Sequence, residues 1–476
     1  MGAPKLLALF AALALATCAS SGSVPTGPFY VSSSGNDLDP GTYAQPFRTL
    51  EKARDAMRRS ALKTTYVRAG TYNRTSTLAL TSSDNGETWA YYPPDGVNTA
   101  ILDGGKTANL ISFDGISNLT INGLKLQNSY SNAIDAQGTN RNNNVSIENC
   151  DIGFNQQTGA EGGFNPLVFI ENATNTQIKN NYVHDAVSQG IGLYAFYAGQ
   201  SIDGSVISGN VVLRTVQHVS DGGAIYINMR STGDSGGHVT ITNNVVRDYG
   251  ASGILGASGI YLDDNTSHAT VTGNVVGPPT EGAVGTGNLG AAAFEIHDGN
   301  SNTISGNIAD LGDSGRTWAA VWYGDSASAA GMGGNTFTGN IVTSGFTGHQ
   351  NTNFTGQTGY TYFENSAASN FTIQNNIYHN YAGGQVRTDG ATASDGNPIF
   401  ENPKLGSWTY VLASDSPAYA SPVNFQPIVG GWGPPGFVIP EGTRPSSPVH
   451  PLGQRRGALG SSGRHQPLQA LVLPPK

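Results

Sequence analysis

IKNNYV (178–183), ISGNVV (207–212), ITNNVV (241–246), VTGNVV (271–276), ISGNIA (304–309), FTGNIV (337–342) and IQNNIY (373–378) are seven copies of one phrase. Each holds an aliphatic residue or Phe, two further residues, Asn, and usually another aliphatic. The Asn falls at 181, 210, 244, 274, 307, 340 and 376, in steps of 29, 34, 30, 33, 33 and 36 residues. A period of this size marks a solenoid, whose units bury their apolar faces only by stacking on their neighbours. The phrase reads as strand plus turn, with no helical periodicity. The expected fold is all-β: a single-stranded right-handed parallel β-helix with one coil of chain per repeat. Residues 178–378 give the clearest coils. Asn118–Leu126 and Asn144–Ile152 read as two earlier, imperfect copies, with Leu124 and Cys150 in the place of the Asn.

The repeated Asn has a physical task. Between stacked coils its amide can bond the amide and backbone of the next coil, at a bend where the sheet ladder breaks. Each such rung contributes about 1 kcal/mol. A ladder of this kind is structural and says nothing of chemistry.

The chain has 476 residues, with Gly at 64 of them and only 12% charged. So low a charge would suit a disordered polymer, but aliphatics recurring at fixed places exclude that reading. A repeat array fills this length as one body, here 21–435. Phe29-Tyr30-Val31 reads as an opening strand, and Thr49–Ala61 as an amphipathic helix with Leu50, Ala53 and Met57 on one face. Residues 28–60 thus form an N-terminal cap over the exposed edge of the first coil. Thr65–Val67 and Thr77–Leu80 would begin the coils. The segments 397–404 and 421–440 would wrap the exit end.

Lys5, the apolar run Leu6–Ala16 and the small residues that follow read as a signal peptide over 1–20, too short for a membrane span. A secreted protein is expected, with lipid anchoring through Cys18 as the lesser alternative. Only Cys150 remains beyond it, so no internal disulfide is available. Residues 436–476 read as a Pro-rich, basic, disordered tail. Setting aside the charges of 441–476 and Lys5 leaves 18 basic and 32 acidic residues, net −14. That excludes nucleic acid as a partner. The expected partner is a carbohydrate polymer or oligosaccharide, met by a monomer.

Each coil carries a further strand after the Asn strand. Ala224-Ile225-Tyr226-Ile227-Asn228 aligns with Gly259-Ile260-Tyr261-Leu262-Asp263, Ala293-Phe294-Glu295-Ile296-His297 and Ala320-Val321-Trp322-Tyr323-Gly324. Side chains alternate with period two. Ile225, Ile260, Phe294 and Val321 therefore point inward. Tyr226, Tyr261, Glu295 and Trp322 form one outward column, and Asn228, Asp263 and His297 a second. Adjacent rungs stand about 4.8 Å apart. Aromatic rings for sugar C–H faces beside acids and amides for hydroxyls are what a carbohydrate site needs. Two carboxylates must flank the glycosidic bond, roughly 5 Å apart for retention and about 6.5–9.5 Å for inversion. The candidate catalytic residues are Asp221, Asp263, Asp264 and Glu295; the candidate substrate-binding residues are Tyr226, Asn228, Tyr261, His297 and Trp322.

Tyr30-Val31-Ser32 with Gly35-Asn36-Asp37, Gln45-Pro46-Phe47 and Leu50–Ala56 resembles the opening of secreted right-handed β-helix carbohydrate enzymes. Ser83–Tyr92, Leu102–Gly105, the pair Asp221–Tyr226 and Gly259–Asp264, and Ser416–Pro427 are similar to glycoside hydrolase family 141. That family includes retaining fucosidase- and xylanase-type members. The resemblance implies a secreted hydrolase of a neutral glycan that needs no cofactor. It implies that Asp221 and Asp263, on neighbouring coils, act as nucleophile and acid/base, with the assignment of the two roles left open. One alternative is a uronate lyase or epimerase, which would call on Ca²⁺ and a basic residue. Another is a non-catalytic glycan-binding surface protein. No spacing suggests a zinc site or phosphate loop.

Overall fold

A computed structural model describes residues 27–440, apart from 157–164, 231–235, 252–253, 255, 281–291, 313–318, 325–332, 346–370, 384–394, 407–409 and 429. The proposed signal peptide, Cys18 and the basic tail beyond Pro440 lie outside the described residues. Almost all regular structure is strand, and each strand pairs in parallel with its counterpart one coil away. Each full coil lays down three strands in turn. Thirteen strands form sheet one, eleven form sheet two and nine form sheet three, giving a parallel β-helix of about nine turns. In one coil these are Ser205–Ser208, Val211–Leu213 and Gly222–Asn228.

The phrase spans the corner from sheet one to sheet two. Its first aliphatic enters the core from sheet one, as Ile207, Ile241, Val271 and Ile304 do in register. Its Asn is buried at the corner in all seven copies. Asn210 Nδ2 donates to Asn244 Oδ1 at 2.9 Å and to Ile178 O at 2.8 Å, while Asn210 N donates to Asn244 Oδ1 at 3.0 Å. The same set of bonds recurs up to Asn340 and Asn376. The backbone N–H and one Nδ2 bond of each Asn go to the next, C-terminal coil, and the other Nδ2 bond runs back to a carbonyl of the preceding coil. The run begins where Cys150 N donates to Asn181 Oδ1, so Cys150 does hold an Asn place. It ends on a carboxylate: Asp395 Oδ2 accepts from Asn376 Nδ2 and Tyr378 Oη, both at 2.8 Å.

The residue before each ladder position turns the corner with positive φ: Gly123, Asn149, Asn180, Gly209, Asn243, Gly273, Gly306, Gly339 and Asn375, between 53° and 68°. Only Gly, and next Asn, takes that conformation at little cost, which is why the phrase reads Gly-Asn or Asn-Asn. A second, shorter run occupies the corner before sheet one. Ala269 N donates to Asn302 Oδ1 at 2.9 Å, and Asn302 Nδ2 to Asn335 Oδ1 at 3.0 Å.

The cap forms as expected. Thr49 accepts from Lys52 N and starts a helix over Leu50–Arg58, whose Leu50, Ala53 and Met57 are buried against the first coil. The C-terminal segment departs from expectation. Ile399 bridges Ile377 and adds to the exit end, but the chain then turns back along the outside of sheet two. Tyr410 and Phe425 pack on Val245, Val275, Ile308, Ile341 and Ile377. Gly433 N donates to Gly209 O at 2.8 Å, and Phe437 lies 4.6 Å from Tyr182 between ring centroids. The reason lies in the paired aliphatics after each Asn. Val246, Val276 and Val342 face the core, so Val245, Val275 and Ile341 face outward and need cover.

Candidate functional site

The site stands on sheet three, where the strands Gly222–Asn228, Ala257–Asp263, Ala292–His297 and Ala319–Gly324 lie side by side. Tyr226 pairs with Tyr261, Tyr261 with Glu295, and Glu295 with Trp322; Asn228 pairs with Asp263. Both outward columns therefore form in the expected register. Their inward neighbours Ile225, Ile260, Phe294, Val321 and Tyr323 belong to the core.

One expectation fails. Tyr226 and Tyr261 were to offer open ring faces to a sugar, but they are 1% and 3% exposed. They pack edge to face on each other at 5.2 Å and continue through Tyr194 to Phe169, whose rings stack at 4.4 Å. Alternation fixes the wall a side chain leaves from, not what covers it. Here aromatics on successive rungs cover one another. Glycines make the room: a Cβ on Gly192 would lie 2.4 Å from the Tyr194 hydroxyl, and one on Gly223 2.6 Å from Cβ of Tyr261. Trp322 alone of the three proposed platforms is partly exposed; its ring lies 6.4 Å from His297, and its indole Nε1 is buried without a partner.

The acids gather around these hydroxyls. Asp263, buried, accepts four bonds: from Tyr226 Oη, from Asn228 Nδ2 at 3.3 Å, from His297 Nδ1 at 2.8 Å and from the Asp264 amide at 2.8 Å. Asp221 stands in a left-handed turn (φ 61°) just before its strand and accepts from Tyr261 Oη at 3.4 Å. The two candidate acids thus hang on adjacent tyrosines of one wall. Asp264 accepts from Asn228 at 3.0 Å and from Arg230 at 2.7 Å. Glu295 is buried and accepts from the Ser258 hydroxyl.

Environment separates the groups. Burial, then the charge of Asp263, pushes the Asp221 carboxyl up to about 6. Burial raises Glu295 to about 8 despite its bond from Ser258. Burial alone would lower His297, but hydrogen bonds to Asp263 and Asp264 outweigh it and lift the imidazole to about 11. Burial likewise opposes ionisation of Asp264, yet bonds from His297, Asn228 and Arg230 hold it well below the usual carboxylate range. The wall thus carries a proton-holding acid, a donor-saturated carboxylate and an imidazolium between them.

Asp263, Asp264 and His297 could bring three ligand atoms together for a metal ion. The set does not fit Ca²⁺, which takes oxygen ligands. His297 Nδ1 is engaged with Asp263, and Arg230 already neutralises Asp264.

Residues that the sequence did not single out join the site. Tyr194 sits one rung below Asn228, with its hydroxyl buried and unpartnered. Ser258 fixes Glu295. Further down the wall Asp135 and Glu171 form another acid pair; burial raises both, and they are bonded by Asn109 and Gln200. The strand alternation of Ile191-Gly-Leu-Tyr194 was the signal available for Tyr194.

The sequence also carries a family likeness. Residues 109–309 match the model of the right-handed β-helix region. Pectate lyase Pel9A is similar in structure, with TM-score 0.50, 13% identity, and 83% of this chain and 92% of that one covered. The A-module of a mannuronan C-5 epimerase of Azotobacter vinelandii follows at TM-score 0.48 and 13% identity, covering 74% and 94%. A GH136 lacto-N-biosidase from Eubacterium ramulus gives 0.42 and 14%, covering 79% and 67%. No curated protein sequence matches the chain. At these identities the likeness concerns the fold. Among the described residues, no helix is long and apolar enough to cross a membrane.

Proposed function

We propose that the protein is a secreted glycoside hydrolase that cleaves a neutral, xylan- or fucose-containing glycan by a two-carboxylate mechanism with retention. The observation that carries this reading is the division of labour between Asp221 and Asp263. Burial and the charge of Asp263 raise the proton affinity of Asp221, while Asp263 is held by four hydrogen bonds. In the first step an Asp263 oxygen bonds to the anomeric carbon as the glycosidic C–O bond breaks, and Asp221 gives its proton to the departing oxygen. In the second, water returns a proton to Asp221 and its oxygen to the anomeric carbon, which frees Asp263. Tyr226, Asn228 and His297 hold the nucleophile in place.

The solved relatives include enzymes of anionic polymers, yet the wall argues against a uronate. Among the described residues its cations, His297 and Arg230, are already engaged by Asp263 and Asp264, so none is left to neutralise a sugar carboxylate. The test is a screen on neutral plant glycans and uronans, with reducing-end, ultraviolet and NMR readouts. Asp221→Ala and Asp263→Ala should each lower turnover by roughly a thousandfold or more without unfolding the coils, and the first product should keep the substrate's anomeric configuration. Near-normal rates in both variants, or an unsaturated product absorbing in the ultraviolet, would discard the proposal. Asp264→Asn, run beside them, decides whether the more exposed neighbour is the true nucleophile.

A further inference from the structure

On the other side of the coil, at the corner of sheets one and two, lies a groove of about 610 Å³. Its floor is five successive rungs of the corner: Thr242-Asn243, Thr272-Gly273, Ser305-Gly306, Thr338-Gly339 and Gln374-Asn375. The returning segment Pro422–Ile428 forms the opposite bank. Among the described residues no Asp, Glu, Lys, Arg or His lines it. The floor presents a hydroxyl or amide at every rung and, at Gly273, Gly306 and Gly339, bare backbone. A Cβ on Gly306 would meet nothing. Thr242 and Thr272 hydroxyls lie 3.4 Å apart, and Asn243 Oδ1 is buried with no hydrogen-bond partner.

We propose that this groove is a second, non-catalytic carbohydrate site that holds a short stretch of neutral glycan. Three observations converge on that class of ligand. Absence of charge excludes nucleic acids, uronans and phosphate esters, which need cations. A row of neutral donors and acceptors along an open trench matches a chain of hydroxyls. Rungs stepping by about 4.8 Å give the five-rung floor a length of about 19 Å, a step close to one pyranose unit. The corner faces away from sheet three, so glycan held here is held apart from the acids.

The test uses the full chain carrying Asp221→Asn and Asp263→Asn, which removes turnover from the measurement. Cello-, xylo- and mannohexaose are titrated calorimetrically, with oligogalacturonate as the charged control. At least one neutral hexaose should bind, and Ser305→Trp or Thr272→Trp should weaken it tenfold or more while thermal unfolding stays unchanged. Ser305 and Thr272 are half-buried residues of the groove floor, and two independent blocking variants guard against one that misfolds. Binding indifferent to both variants overturns the proposal, as does preference for the charged oligomer or no binding at millimolar concentration. A failure of hydrolysis alone leaves this reading standing, because the readout is taken without turnover.

Discussion

Asp263 was placed by strand alternation and the repeat step, which together fix a two-dimensional grid, whereas Asp221, in the turn before its strand, was joined to it only by the family resemblance. Tyr226 over Tyr261 and Asn228 over Asp263 follow from counting alone. Burial did not follow, since the covering groups of Tyr226 and Tyr261 are other rungs and not their own strand. That burial governs how the site titrates. With Asp221 raised to about 6, kcat/KM should fall as pH rises through about 6, and the fall should vanish in an Asp221 variant. Stability should follow a related course. Glu295 keeps its proton in the fold up to about 8 but releases it near 4.5 when unfolded, so between those values stability declines as pH rises. The imidazolium of His297 contributes fully below 6.5 and is lost on the way to about 11, while Asp264 stabilises above 3.8 and its contribution is lost on acidification. Asp221, which holds its proton in the fold up to about 6 against 3.8 when unfolded, adds to the same decline, so thermal unfolding should peak near about pH 4. Glu295→Gln should raise the melting temperature at pH 8 and flatten the curve; an unchanged pH profile in that variant would show that the carboxyl is not buried in its neutral form.

At the scale of the element, the corner phrase does two jobs with two adjacent residues. The Asn closes the bonds between coils, and the Gly or Asn before it turns the chain. The first was readable from seven repetitions. The second was equally present in the sequence but needs the idea of a left-handed turn to be seen. Asn274→Ala tests the first job. It deletes the acceptor of Asn244 N and Nδ2 and leaves the Ile241 carbonyl unpaired, all buried. The cost should be about 3 kcal/mol, read from urea unfolding. Replacing Gly273 by Asn should cost far less, because Asn243 and Asn375 already occupy that column. Near-equal losses in the two variants would contradict this division.

At the scale of the molecule, the returning segment is the part the sequence concealed. It carries no repeat, and its role depends on an apolar surface made by five different coils. The doubled aliphatics after each Asn were the available sign that sheet two is apolar on both sides. Phe425→Ala should remove about 3 kcal/mol from the described fold, and the measurement is a denaturant titration followed by Trp432 fluorescence, since Trp432 packs in the same cluster. A further property of the whole body follows from Asp395. Because each ladder amide gives hydrogen bonds to the coil beyond it, a solenoid is, in principle, an unfinished polymer: the last amide could donate to the first coil of another copy. Asp395 receives the last donor and has, as a carboxylate, nothing to pass on. One side chain thereby gives the column of amides a terminus.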